Sequence, residues 1–177
     1  MKDFPKLVKI HAMRLFFIQC ILFCVLLNNV SFGQTIIMDK FSKPNNWKYI
    51  SDDVMGGVSK GELKFFTVDD HAVAFLSGKV STENNGGFIQ IRRKFQYNQL
   101  KELSKIKVIA KGNNERYFLH IRTKKTILPW HYYQISFDVS KVYSEKILLL
   151  NNFVKSSALL PKKIKPNDIN SIGIVAF

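Results

Sequence analysis

From Thr35 onward the chain consists of short apolar runs separated by glycine, asparagine, aspartate, serine and lysine. No stretch keeps its apolar residues at the 3.6-residue spacing of a helix. Short runs with turn residues between them are typical of β-sandwiches and barrels, so the sequence predicts an all-β fold. The predicted elements are strands at Ile36–Phe41, Trp47–Ile50, Gly61–Thr67, Ala72–Val80, Phe88–Phe95, Lys105–Lys111, Tyr117–Thr123, Tyr132–Phe137, Lys146–Leu150 and Ser171–Ala176, and one helical turn at Tyr97–Leu103.

Two segments of the chain pair polar side chains with a Gly–Gly step, and both lead into predicted strands. Glycine lets the backbone take a positive φ or come close to another group. The two steps are therefore consistent with two ordinary tight turns. The alternative is that the turns lie together and hold a polar site. The residues of this candidate loop site are Asp52, Asp53, Met55, Gly56, Gly57, Glu83, Asn84, Asn85, Gly86 and Gly87.

The same segments resemble a known family. The order W-x-x-x-x-D-x-V-M-G-G-V-S from Trp47, E-N-N-G-G-F-x-x-x-R from Glu83, K-G-x-x-x-R-Y from Lys111 and Y-Q-x-x-F from Tyr133 is similar to the complex I intermediate-associated protein 30 family. The resemblance implies a jelly-roll β-sandwich of the galactose-binding-domain-like type. For mitochondrial members it implies a non-catalytic role in the assembly of respiratory complex I. The family pattern continues with a closing strand beyond Phe177, so one interpretation is a domain over residues 34–177 that lacks its last strand.

The first 33 residues differ in composition from the rest of the chain. Four basic residues precede an apolar run from Leu15 to Val30, and Ser31 and Gly33 place small residues at positions −3 and −1 of a cleavage site before Gln34. This pattern predicts a secretory signal peptide over residues 1–33, with a retained hydrophobic membrane anchor as the alternative. We therefore expect the chain to be exported to the periplasm or cell envelope, and to contact a membrane only through an uncleaved N-terminal segment.

Cysteine usage and charge restrict the possible partners. Cys20 and Cys24 both lie in the apolar run, so a chain that begins near Gln34 has no thiol and no disulfide. The formal net charge is +14, and setting aside the four basic residues and one acidic residue of 1–33 leaves +11. Such a charge favours anionic partners, and it is equally explained by a basic surface that keeps a small exported protein soluble. Export argues against a nucleic-acid partner.

Alternation within three predicted strands gives each of them two different faces. One face is apolar, as in Tyr117, Leu119 and Ile121, and is predicted to lie in the core. The opposite face carries aromatic rings, arginines, amides and a histidine. In a shared sheet these side chains would form a band suited to a sugar ring or a peptide strand, unless a loop covers the band and makes it core. The candidate residues of this band are Gln90, Arg92, His120, Arg122, Trp130, Tyr132 and Gln134.

No set of residues predicts catalysis. The three histidines after residue 33 lack the spacing of a metal-binding face, and both Gly–Gly steps lead into strands rather than into a phosphate-binding helix. Oxygen atoms of Asp52, Asp53 and Glu83 could bind Ca²⁺, but hydrogen bonding of Asp52 to loop amides is the interpretation that we favour. We therefore expect no enzyme activity, no metal and no cofactor.

Two functions are compatible with these observations. The first, which the family resemblance favours, is an assembly factor or chaperone that binds a membrane-complex subunit through the loop site. The second is an exported carbohydrate-binding module that binds a glycan through the band. Export weakens the transfer of the mitochondrial role, because the mitochondrial matrix corresponds to the bacterial cytoplasm. It leaves the fold expectation unchanged.

Overall fold

A computed structural model describes residues 39–177, which form strands and short 3₁₀ turns. The strands are β1 (Trp47–Ser51), β2 (Lys60–Val68), β3 (His71–Lys79), β4 (Ile89–Lys94), β5 (Lys105–Ala110), β6 (Arg116–Thr123), β7 (Tyr133–Asp138), β8 (Ser144–Leu149), β9 (Val154–Lys155) and β10 (Ile169–Ala176). The 3₁₀ turns are Pro44–Asn46, Asp52–Met55, Glu83–Asn85, Leu150–Asn152 and Pro166–Asp168. The all-β prediction is confirmed. The predicted signal peptide lies outside the described residues.

Six strands form one antiparallel sheet in the order β1-β4-β10-β6-β7-β9. Two further antiparallel pairs, β2–β3 and β5–β8, form sheets of their own. The β2–β3 pair contacts β1 and β4, and the β5–β8 pair packs on β6, β7 and β10. The last strand in the chain, β10, lies in the middle of the large sheet. Within residues 39–177 no helix is long and apolar enough to cross a membrane.

The core lies between the large sheet and the β5–β8 pair. Leu119 and Ile121 of β6 meet Phe137 of β7, Val108 of β5 and Leu148 of β8 in one buried cluster. The side chains of β6 alternate as predicted, because successive residues of a strand point to opposite faces. The apolar face of the large sheet is therefore buried against the β5–β8 pair. The polar and aromatic side chains lie on its other face.

Two local predictions are wrong, each at a residue with a positive φ. Asp39–Phe41 is not a strand, because Phe41 has a φ of 54° and an extended strand requires a negative φ. The segment Tyr97–Leu103 makes hydrogen-bonded turns rather than a helical turn, since Asn98 has a φ of 62°. Strand β9 was missed because two residues show no periodicity.

The core makes a direct prediction about stability. Ile121 is fully buried, so Ile121→Ala should lower the free energy of unfolding by about 2–5 kcal/mol through lost packing and a residual cavity. Ile127 is 82% exposed, so the matched change Ile127→Ala should shift that free energy by less than about 0.5 kcal/mol. Urea unfolding followed by circular dichroism measures both. Equal losses in the two variants would contradict the assignment of the core face.

Candidate functional site

The two Gly–Gly loops lie side by side where β1 ends and β4 begins. We call this the diglycine end, formed by residues 51–59 and 81–88. The carboxylate of Asp52 joins the loops: Oδ1 accepts the N–H of Ser59 at 3.0 Å, and Oδ2 accepts the Ser59 hydroxyl at 2.5 Å and the N–H of Gly87 at 2.6 Å. The backbone N–H of Asp52 in turn donates to the carbonyl of Phe88 at 3.2 Å. One side chain therefore fixes both loops to each other.

Within each Gly–Gly step the two glycines have different structural roles. Gly56 and Gly87 have φ values of 86° and 136°, a region that favours glycine. Gly57 and Gly86 instead lie against Asp52. A Cβ at Gly57 would be 2.3 Å from Asp52 Cγ, and a Cβ at Gly86 would be 2.4 Å from Oδ2. Each step thus needs one glycine for backbone conformation and one for contact with the carboxylate.

Asp52 is a buried structural anion. Its side chain is fully buried. Burial by itself raises the pKa of Asp52, but the hydrogen bonds from the Ser59 hydroxyl and from the amides of Gly87, Ser59 and Phe88 outweigh it and hold the pKa below its ordinary value of 3.8. Both carboxylate oxygens are occupied by N–H and O–H donors. This supports the interpretation of Asp52 as a hydrogen-bonded bracket rather than a calcium ligand or a partner-contacting group.

The remaining residues of the predicted loop site lie around this bracket. Asp53 is exposed, and its Oδ1 accepts the Ser51 hydroxyl at 2.7 Å. Met55 is 53% exposed at the end of the 3₁₀ turn Asp52–Met55. Glu83, Asn84 and Asn85 form the second 3₁₀ turn, in which Glu83 and Asn84 are exposed. Sequence reasoning missed the exposed apolar neighbours Val54 and Val58, whose signal was their position inside a glycine-rich loop.

The predicted band lies on one face of the six-stranded sheet, opposite the core. A row of paired residues crosses this face from Arg92 on β4 through Gly173 on β10 and His120 on β6 to Gln134 on β7. Gly173 has no side chain, so the backbone of β10 forms a floor between Arg92 and His120. Sequence reasoning missed Gly173 because its place depends on the position of β10 between β4 and β6.

Direct contacts hold the side chains of the band in place. Arg92 Nη2 donates to Gln90 Oε1 at 3.1 Å, and Gln90 is itself buried. The rings of His120 and Tyr132 stack, with centroids 4.0 Å apart and planes 12° apart. The ring of Phe177 lies 5.7 Å from that of His120 and was not predicted as part of the band. The band therefore offers aromatic faces beside planar amide and guanidinium groups.

His120 is neutral near neutral pH. Burial lowers its pKa from 6.5 to about 4, against the raising effect of the Gln134 amide, and the guanidinium groups of Arg92 and Arg122 lower it further. Its Nε2 is buried and has no hydrogen-bond partner within residues 39–177. A neutral imidazole offers one donor and one acceptor, which suits uncharged polar ligands.

Two residues that were predicted to lie on the band belong instead to the β6–β7 loop or hold it in place. The guanidinium of Arg122 donates to the carbonyls of Pro129 at 2.6 Å, Thr126 at 2.9 Å and Leu128 at 2.9 Å. Arg122 therefore holds the β6–β7 loop and is not a free donor on the band. Trp130 lies in that loop, before β7 begins, and is 60% exposed. The residues that the structure brings together on the band are Gln90, Arg92, His120, Tyr132 and Gln134.

The part of the chain that the structure describes contains no group of three or more His, Cys, Asp or Glu side chains that could hold a metal ion. Asp52 and Asp53, neighbours in sequence, point to different partners. The geometry of both candidate sites is therefore that of hydrogen bonding and stacking.

Comparisons with known proteins agree with this architecture. The model of the family described as complex I intermediate-associated protein 30 matches residues 36–177. A family 11 carbohydrate-binding module from Clostridium thermocellum, solved in complex with a β-1,3-1,4-mixed-linked tetrasaccharide, is similar with a TM-score of 0.63 and 16% identity, covering 79% of this chain and 84% of that chain.

A family 11 module of a cellulosomal cellulase of Clostridium thermocellum is similar with a TM-score of 0.63 and 14% identity, covering 80% of this chain and 84% of that chain. At these identities the likeness shows the fold alone, a galactose-binding-like jelly roll. Among curated proteins nothing matches this chain significantly.

The lowered pKa of His120 predicts an acid-sensitive fold. Between 6.5 and about 4 the unfolded chain binds a proton at this position that the folded chain does not, so stability is lost as the pH falls through that range. Asp52 stays ionised there, since its pKa lies below 3.8. His120→Gln should reduce the difference in unfolding free energy between a pH above 6.5 and one near 4.

Chemical denaturation at the two pH values measures this difference. The matched control is His71→Gln, which changes an exposed histidine beside the β2–β3 turn and should keep the full difference. A pH dependence that is unchanged in His120→Gln, or that is abolished in His71→Gln, would show that His120 is not its source.

Proposed function

Because this chain belongs to the complex I intermediate-associated protein 30 family, we propose that it is a non-catalytic binding module whose diglycine end binds a protein subunit during the assembly of a membrane complex. The observation that supports this most directly is the presentation of apolar side chains on a fixed turn. Val54 is 71% exposed and Met55 is 53% exposed on the 3₁₀ turn that begins at Asp52.

The bracket at Asp52 makes this presentation rigid. Its carboxylate ties the 3₁₀ turn to Ser59 on one side and to Gly87 on the other. A surface that is already ordered loses little conformational entropy on binding. Exposed apolar side chains that adjoin one another mark interaction sites, and methionine is enriched in protein interfaces. Rigid exposure of Val54 and Met55 is therefore suited to a protein partner.

A charge at the tip of this turn tests the proposal. Met55→Glu should weaken co-purification of the tagged chain with subunits of respiratory complex I by about tenfold or more, because a charge would be buried at the contact. Its fold should be unchanged, since Met55 is exposed. Val154→Glu places the same charge on an exposed valine of β9, away from the diglycine end, and should leave recovery unchanged. Equal recovery with the wild-type chain and Met55→Glu would exclude this surface.

A second candidate function rests on the band. We propose that the band can bind an uncharged glycan outside the cytoplasm, as expected for an exported chain. The ring of Tyr132, which stacks on the ring of His120, has a second apolar face for a sugar ring. The amide of Gln134 and the guanidinium of Arg92 supply the planar hydrogen-bonding groups that fix its orientation. The structural neighbour solved with a mixed-linked tetrasaccharide suggests the first glycan to test.

Substitutions on the band test the second function. Tyr132→Ala and Gln134→Ala should each weaken binding of mixed-linked glucan oligosaccharides by about tenfold, because each removes a contact to the sugar. Phe66→Ala removes an exposed ring on β2, away from the band, and should leave affinity unchanged. Isothermal titration calorimetry measures the affinities, after a glycan array for other sugars. Saturable binding that persists in both band variants would place the glycan site elsewhere.

The two functions make separable claims. Met55→Glu should leave glycan affinity intact, and Tyr132→Ala should leave recovery of the protein partner intact. The reason is that the two residues lie at opposite ends of the large sheet. The turn that carries Met55 precedes β2 at the diglycine end, whereas Tyr132 precedes β7 at the other end.

A further inference from the structure

Positive charge is concentrated at the end of the six-stranded sheet opposite the diglycine end. Strands β1, β7 and β10 begin there, and β4 and β6 end there. We call it the basic end. Its basic side chains are Lys40, Lys43, Arg93, Lys94, Lys101, Lys105, Lys124, Lys125, Lys155, Lys162, Lys163 and Lys165. Its acidic side chains are Asp39, Asp69, Asp70, Glu102 and Asp168.

The diglycine end has a mixed charge by comparison. Its loops and strand ends carry basic side chains at Lys60, Lys79, Lys111, Arg116 and Lys141 and acidic side chains at Asp52, Asp53, Glu83, Glu115, Asp138 and Glu145. The net positive charge of the chain is therefore not spread evenly. The antiparallel topology collects it at one end, although the basic residues are scattered along the sequence.

The basic end also exposes large apolar side chains. Ile127 and Leu159 are each 82% exposed, and Trp130 is 60% exposed. They lie on two loops that meet: the Ser156 hydroxyl donates to the carbonyl of Trp130 at 2.8 Å and accepts the N–H of Tyr132 at 3.0 Å. The basic end therefore presents exposed apolar side chains on two loops that are hydrogen-bonded to each other.

Two cationic side chains keep these loops in place. Arg122 donates to three carbonyls of the loop that carries Ile127 and Trp130. Lys155 Nζ donates to the carbonyls of Ala158 and Leu160, on either side of Leu159, at 2.9 and 2.8 Å. The two loops that carry these exposed apolar side chains are thus held by specific hydrogen bonds.

We propose that the basic end docks on a bilayer that contains anionic phospholipids. The lysines are complementary in charge to anionic head groups. Each lysine near the membrane surface contributes a favourable electrostatic interaction. Tryptophan is suited to the interface between head groups and acyl chains, and isoleucine and leucine can enter the upper acyl region. An open cleft of about 480 Å³ lies at the same end and is lined by Asn46, Arg93, Lys94, Phe95, Gln96 and Gln99, with Arg93 paired to Asp39.

The diglycine end lies at the opposite end of the large sheet, so Val54 and Met55 would face away from a membrane on which the basic end docks.

The test uses the full chain with two kinds of vesicle, phosphatidylcholine alone and phosphatidylcholine mixed with phosphatidylglycerol. Replacing Lys125, Lys162 and Lys163 by glutamine should weaken binding to the anionic vesicles by about tenfold or more and reduce its dependence on salt. The matched variant replaces Lys60, Lys79 and Lys141 by glutamine. It removes the same charge from the other end and should bind like the wild-type chain.

Brominated acyl chains report which residue enters the bilayer. With anionic vesicles they should quench the fluorescence of the wild-type chain and of Trp47→Phe, in which Trp130 is the remaining tryptophan, and quenching should be largely lost in Trp130→Phe. Equal weakening by the two lysine triples would overturn the proposal, because it would show a non-directional charge effect. Binding of heparin or DNA by the basic end without binding of anionic vesicles would also overturn it, in favour of a soluble polyanion.

Discussion

The structure depends on the buried carboxylate of Asp52 and the donors that surround it. A buried charge is tolerated only where hydrogen bonds replace its hydration, and here Ser59, Gly87 and Phe88 supply them from two loops far apart in the sequence. The same contacts explain why both loops carry glycine against the carboxylate. They also turn a flexible polar segment into a rigid end that presents Val54 and Met55 to solvent.

The large sheet separates three kinds of surface. Its apolar face packs under the β5–β8 pair, its opposite face carries the band around Gly173, and its two ends differ in charge. One small domain therefore offers a rigid apolar turn, a stacked polar face and a basic end. In the proposed arrangement the basic end lies on a membrane while the diglycine end remains free to bind a subunit of a complex.

Much of the fold was predictable because it depends on alternation within strands. The two faces of β6 follow from the residues Tyr117 to Arg122 alone. The prediction was wrong where one residue takes a positive φ, as at Phe41 and Asn98, because such a residue interrupts a pattern that its neighbours continue. At the band, residue type alone did not indicate the role of Arg122: it was expected to face a ligand, yet it holds the loop that carries Trp130.

The amino-acid sequence by itself determined the all-β class, the core face of three strands, the need for glycine at both loops and the excess of positive charge. Each of these depends on neighbouring residues and on short-range sterics. Only the tertiary structure decided that β10 lies between β4 and β6, that Asp52 binds both loops, and that scattered lysines meet at one end. Strand order and hydrogen-bond partners arise from pairings between distant segments, and many such pairings are compatible with the same local pattern.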